Sequence, residues 1–280
     1  MTDARTRTVL ITGASKGIGE ACALHLDTLG FHVFAGVRRD EDARALAARG
    51  STRLTPIRLD VTDSDQIAAA VETIRGAVGP AGLDALVNNA GVALGGPLEF
   101  LPLAEIRGVF EVNLFGVVAV TQAFLPLLRQ AHGRIVNVSS VSGRFATPFL
   151  GPYSASKFAL EALSDAWRVE LAHWGLKLVL IEPGATRTPI WETSLARAER
   201  LAEAYPPEAH ALYGKVLARV SERTREIAAR GVPVDQVARA VGRALTARRP
   251  RRRYPVGFDT RVGIALARWA PAWLRDRLTR

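Results

Sequence analysis

After a short polar lead, the chain enters a run of β-branched and aliphatic residues, TVLIT at 8–12. Similar runs return as FHVFAGV (31–37), TPIRLDV (55–61), LDALVNN (83–89), GRIVNVSS (133–140) and LKLVLIEP (176–183). Between them, segments 18–29, 63–78, 104–130 and 154–174 place apolar residues every three or four positions, the period of a helix with a buried face. Strand and helix in alternation predict parallel pairing through right-handed crossovers, with helices on both sides of an open sheet. The expected fold class is therefore α/β: a Rossmann-type doubly wound parallel sheet in a single domain over 1–280. Its ligands belong at the C-terminal ends of the strands.

The alternation stops after Thr188. Residues 189–230 read as helical pieces on either side of Pro206 and Pro207, longer than an ordinary connection. This segment is either a lid over a ligand site or a packed helical excursion. Trp191, Leu195, Leu201, Tyr205, Leu212 and Tyr213 are its apolar candidates.

The formal net charge is +10, but its location matters more than its size. From Arg243 onward eleven arginines face only Asp259 and Asp276, a net of +9, so the body of the chain is nearly neutral. No nucleic-acid partner is expected. The basic extension, 248–280, begins with RRPRRR and continues through Val262, Leu266, Trp269, Trp273 and Leu278. An edge strand near 254–256 followed by a packed helix is favoured there over peripheral contact with an anionic membrane.

Cys22 is the only cysteine, which excludes an internal disulfide and a thiolate cluster; a buried, inert thiol is expected and no metal site. There is no signal-peptide pattern at the N-terminus and no run approaching the roughly 18 apolar residues of a membrane span, so a cytoplasmic location is expected.

The first strand leads into TGASKGIGEA, which has two readings. Gly13, Ser15 and Gly17 spell the G-x-S-x-G of a hydrolase nucleophile elbow. Gly13, Gly17 and Gly19 equally form a glycine-rich turn that brings backbone N–H groups and a helix N-terminus to a pyrophosphate. An elbow normally follows several strands and needs a later histidine, whereas Ser15 follows the first strand and His25, His32, His132, His173 and His210 do not lie in an obvious loop after a late strand. The dinucleotide reading is taken. At the end of the second strand Arg38 and Arg39 stand where an NAD site would carry an acid, and with Lys16 they suit the 2′-phosphate of NADP(H) over NAD(H).

Tyr153 and Lys157 in PYSASK are four residues apart, on one face of a helix. A neighbouring ammonium lowers the pKa of a phenol, giving a usable acid/base.

TGASKGIG (12–19), Asp60-Val61, NNAG (88–91), Asn113 in EVNLFG, Ser140 after IVNVS, YSASK (153–157) and PGATRT (183–188) resemble, in order and spacing, the short-chain dehydrogenases/reductases. The resemblance is strong over residues 7–190. It implies that Tyr153 exchanges the substrate proton, Lys157 lowers its pKa and binds the nicotinamide ribose, Ser140 holds the substrate oxygen and Asn113 anchors a proton-supplying water chain. It further implies cofactor contacts from Gly13, Ser15, Gly17, Ile18, Gly19, Asp60, Val61, Asn88, Ala90, Gly91, Pro183, Gly184, Thr186 and Thr188. Within the family the chain looks most like the retinol and 17β-hydroxysteroid dehydrogenase branch, which implies a bulky apolar alcohol or ketone. Phe145, Phe149 and Trp191 are the pocket candidates beside Ser140 and Tyr153. A homodimer or homotetramer is implied as well. The rival to catalysis is a non-catalytic NADP-binding regulator or scaffold, against which the complete Asn113, Ser140, Tyr153 and Lys157 set argues.

Overall fold

A computed structural model describes residues 5–271, 273, 274 and 277. Seven strands form one sheet: β1 (Thr8–Ile11), β2 (His32–Val37), β3 (Leu54–Arg58), β4 (Ala85–Asn88), β5 (Arg134–Val138), β6 (Lys177–Pro183) and β7 (Arg253–Val256). Their order is β3-β2-β1-β4-β5-β6-β7, and every pair is parallel. The central β1 and β4 are buried at every position, as expected where helices cover both faces. The order reverses between β1 and β4, which opens a crevice at their C-terminal ends.

One face is covered by α1 (Gly17–Thr28), α2 (Asp40–Ala47) and α9 (Val234–Thr246), through Cys22, Leu26, Leu46, Val237 and Val241. The other is covered by α3 (Ser64–Val78), α5 (Gly116–Gln130) and α6 (Gly151–Glu170), through Ile67, Ile74, Val120, Phe124 and partly buried Trp167. Asp63 caps α3, accepting from the N–H groups of Asp65 and Gln66 at 3.0 Å each. Such a cap is worth about 1 kcal/mol.

The helix expected over 104–130 is interrupted. α4 (Leu103–Phe110) passes through a π turn at Glu111–Phe115 before α5 begins. The extra residue per turn rotates Asn113 inward, where it is fully buried. By length and composition Leu103–Gln130 could cross a membrane, but Val117, Val120, Phe124, Leu127 and Leu128 pack it onto the sheet.

Residues 189–230 form α7 (Ile190–Glu203) and α8 (Pro207–Arg230), broken at Pro206 and Pro207. An Arg197–Glu105 ion pair fastens α7 to α4, and Tyr213 donates to Glu99 at 2.7 Å. β7 and α10 (Phe258–Trp269) follow, the strand and helix expected there, but the helix is not fully packed: Phe258, Val262 and Trp269 are exposed. The side chain of Leu266, and Leu278 as a whole, lie outside the described residues.

Candidate active site

The loops after β1 to β6 border one cleft. Its first wall is the glycine turn. Gly13 has φ +65, and a Cβ there would stand 2.8 Å from Cα of Ala90, so the turn lies directly against the segment after β4. Thr12 Oγ1 accepts from the N–H groups of Asn89 and Ala90 at 3.0 Å each, and Asn89 Nδ2 donates to the carbonyls of Thr12 and Gly13 at 3.0 Å each. Gly17, φ +63, starts α1 beside Thr188. Lys16 precedes it and supplies no side-chain cap, so the first-turn N–H groups are left for a ligand. Ser15, Lys16, Gly17 and Ile18 line the cleft with Gly13. This uncapped, positive helix end behind a glycine cradle fits a dinucleotide pyrophosphate.

Gly19 has a different role from the expected phosphate contact. It faces inward, and a Cβ there would overlap the Gly13 carbonyl.

At the other end, Arg38 lines the cleft with its guanidinium 3.8 Å from the carboxylate of Asp60. Asp60 and Val61 line it as well, while Arg39 does not: it pairs with Glu41 at 3.1 Å. Asn88 also lies elsewhere, which corrects its expected cofactor contact. Its Nδ2 donates to Thr121 Oγ1 and Asn137 Oδ1 at 2.9 Å each, inside the β4–α5–β5 layer. Asn89, which the sequence reading passed over, faces the cleft with Ala90 and Gly91.

The floor carries the chemistry. Tyr153, Lys157 and Ser140 all line the cleft, and all three are buried. Ser140 ends the β5 loop and caps the turn Val141–Gly143, its Oγ accepting from Ser142 N–H at 3.1 Å. Lys157 Nζ donates to the Val138 carbonyl at 2.9 Å and stands 5.8 Å from the Tyr153 ring centre. Asn113 lies behind the cleft rather than in its lining. It clasps Val92 through that residue's N–H (2.8 Å) and carbonyl (2.9 Å), and donates to Ser156 Oγ at 2.9 Å. Ser156 in turn donates to the Tyr153 carbonyl at 2.7 Å, so Asn113 links the β4 loop to the first turn of α6. Ser156 was legible only as the third residue after Tyr153.

Burial governs both ionisable groups. It pushes the Tyr153 phenol above its ordinary value, with Ser140 opposing, and it lowers the Lys157 ammonium to about 8, with Glu161 opposing. The expected lowering of Tyr153 by Lys157 is not found: desolvation of the phenolate dominates, and Ser140 is the group that opposes it.

The third wall comes from Pro183, Gly184, Thr186, Thr188 and α7. Trp191 donates to the Thr186 carbonyl at 3.0 Å and faces the cleft with Ile190 and Val112. Ser194 and Arg197 join it at the i, i+3 spacing of one helix face, a signal available in the sequence but unused. The two phenylalanines do not line the cleft. Phe145 packs toward Gly263 of α10, and Phe149 meets Tyr213 edge-on at 6.3 Å between ring centres. The loop between Ser140 and α6 carries both past the opening.

The family model for short chain dehydrogenase matches residues 7–199. The chain belongs to the short-chain dehydrogenases/reductases. This member is 38% identical to an NADPH-dependent 3-dehydrocapnine reductase of Ornithobacterium rhinotracheale, over 89% of this chain and 88% of the relative. It is 39% identical to human retinol dehydrogenase 5 (96% and 86%) and 37% identical to bovine 17-beta-hydroxysteroid dehydrogenase type 6 (96% and 86%), which places it in the retinol and hydroxysteroid dehydrogenase-like branch. Among solved structures it resembles a short chain dehydrogenase of Burkholderia cenocepacia in complex with NADP, with TM-score 0.76 and 25% identity over 99% of this chain and 98% of the other. A Burkholderia phymatum member in complex with NAD gives TM-score 0.77 and 26% identity over 100% and 97%. The protein is accordingly a nicotinamide-dependent oxidoreductase of alcohols and carbonyls.

Proposed function

We propose that the protein is an NADP(H)-dependent oxidoreductase interconverting a carbonyl and a secondary or primary alcohol on a bulky apolar substrate of steroid, retinoid or aliphatic-ketone type. The observation that carries this reading is the convergence of buried Ser140, Tyr153 and Lys157 on the cleft floor, with the glycine cradle at one wall. Bound NADP(H) supplies or accepts the hydride. The protons belong to the chain. Ser140 Oγ holds the substrate oxygen and Tyr153 Oη gives or takes the proton there, while Lys157 keeps positive charge beneath it. Asn113 acts from behind, holding Val92 and the start of α6 in register.

Arg38 is the residue assigned to the 2′-phosphate, and Asp60 keeps its guanidinium at the cleft mouth. Val92, Val112, Ile190 and Trp191 give the substrate side an apolar surface. Its relatives named for retinol and a 17β-hydroxysteroid point the same way. We place the protein in the cytoplasm, as a homodimer or homotetramer.

Titration with NADPH and NADH, followed by energy transfer from tryptophan to nicotinamide, tests the cofactor. Tighter NADPH binding that Arg38→Asp abolishes is expected, and equal binding of both nucleotides would overturn the preference. Steroid, retinoid and aliphatic ketones are then screened for oxidation of the preferred nucleotide.

A further inference from the structure

Behind Ser140 the fold buries a second set of charges. Glu161 stands one turn after Lys157 on α6, and Glu182 is the penultimate residue of β6; the two are 5% and 1% exposed. Arg144, on the loop that carries Ser140, lies 3.7 Å from Glu161 and 3.6 Å from Glu182. Arg253 on β7 reaches Glu161 at 3.1 Å and Glu182 at 3.2 Å, and also pairs with Asp165 at 2.7 Å. Both arginines face the same oxygen of Glu182, Oε1, whereas Glu161 Oε1 has no hydrogen-bond partner. Neither glutamate and neither arginine lines the cleft.

Charges this deep are costly, and apolar side chains would fill the same space with less penalty. Their placement indicates what they do. The turn Val141–Gly143 is pressed onto α6, where a Cβ on Gly143 would stand 3.0 Å from both Glu161 Cγ and the Lys157 carbonyl. The cluster therefore sits where the Ser140 loop, the helix of Tyr153 and Lys157, and the strand leading to Pro183 and Gly184 converge.

We propose that Glu161 and Glu182 are positioning residues, whose ion pairs with Arg144 and Arg253 hold the Ser140 loop on α6. This rests on the oxidoreductase reading above. Glu182 faces Glu161 from α6, Arg144 from the loop and Arg253 from β7; Glu161 also faces Lys157 and, through Arg253, Asp165. Burial first, then the charge of Glu161, raises the Glu182 carboxyl to about 7 against the two arginines. Glu161 in turn favours the charged form of Lys157. Ionisation of Glu182 near neutrality thus adds a negative charge where the Ser140 loop, α6 and β6 converge.

The test compares wild type with Glu182→Gln, Arg144→Met and Arg144→Lys, using NADPH and the best ketone of the screen. Wild-type kcat shows an inflection near pH 7 that Glu182→Gln removes. Arg144→Met lowers kcat about tenfold, leaves the substrate KM and the NADPH Kd within about twofold, and Arg144→Lys restores most of the loss. Folded variants with wild-type kcat and pH profile overturn the proposal.

A second readout needs no turnover. A carboxyl whose pKa is raised on folding contributes stability fully present below its unfolded value of 4.5 and lost as pH rises to about 7. His25 and His32, held below their ordinary value, add stability over part of the same window, so the readout is the difference: Tm of Glu182→Gln rises relative to wild type from pH 4.5 to about 7, and identical slopes overturn the raised Glu182 carboxyl. A wild type that reduces none of the screened ketones yet shows the Glu182-dependent difference overturns the proposed substrate class and retains the cluster.

Discussion

The ammonium of Lys157 donates a 2.9 Å hydrogen bond to the carbonyl of Val138, the last residue of β5. The bond ties α6 to the strand end two residues before Ser140, so the lysine holds together the elements that carry the other two groups. Burial lowers its pKa to about 8, and the ammonium is therefore lost as pH rises through that value. We expect kcat/KM to fall above about pH 8, since this parameter reports groups of the free enzyme. Lys157→Arg keeps the charge at all accessible pH and removes that limb at reduced rate. A limb that persists unchanged in Lys157→Arg would assign it to another group.

Tyr153→Phe separates chemistry from binding. The phenol oxygen is the atom proposed to carry the proton at the floor, while the ring is packed and the glycine cradle lies on another wall. Turnover should drop by about 10²–10⁴. Nucleotide affinity, read by tryptophan-to-nicotinamide transfer, should stay near wild type.

Legibility in the sequence followed the strength of each periodic signal. All seven strands lie within the runs read from the sequence or within one residue of them, with only the first residue of β3 and of β7 outside, because short β-branched runs with buried faces leave little ambiguity. α2 and α9 were not singled out, although Val237, Val241 and Leu245 carry the helical spacing by which α9 packs on α1. The inward turn of Asn113 depends on a π turn, which a 3.6-residue period cannot reveal. Asn88 and Asn89 were interchanged for a related reason: β4 is buried on both faces, so alternation gives no clue to which asparagine turns toward the cleft. The Glu161–Glu182 cluster joins α6 to β6, and nothing local in either segment marks it.

The two arginines after β2 should behave differently. Arg38 borders the cleft and Arg39 is turned outward to Glu41. Arg38→Ala should weaken NADPH binding by about 1.5–3 kcal/mol, the range for a charge-assisted bond, and leave NADH almost unaffected. Arg39→Ala should change neither by more than about twofold. Titrations at low and high salt would check this, since the Arg38 contribution is partly screened.

Gly19→Ala tests the internal clasp of the phosphate loop. Within a helix, alanine is ordinarily about 1 kcal/mol better than glycine. Here its Cβ would meet the Gly13 carbonyl and Asn89 Nδ2, so the loop must move away from the segment after β4. The variant should be about 1–3 kcal/mol less stable to urea and bind NADPH weakly. A gain in stability would show that the loop has room that its packing denies.

The last expectation concerns assembly. α4 to α6 leave Leu103, Phe115, Phe158 and Val169 exposed, with Phe115 54% and Val169 68% accessible, although the other face of these helices is packed on the sheet. Phe115 lies on the π turn, which packs against α6, and Phe158 lies on α6 itself, so both belong to the same helical layer. Apolar groups of this size on one layer suit the proposed interface between copies of the chain. Phe115→Arg should shift the wild-type dimer or tetramer toward monomer in sedimentation, because an unpaired guanidinium cannot be buried cheaply. Tyr153 and Ser140 are held from within by the Val138 and Asn113 contacts, so NADPH binding by the monomer should be retained. A wild-type monomer at micromolar concentration would remove the interface, and an unchanged oligomer in Phe115→Arg would move it to another face.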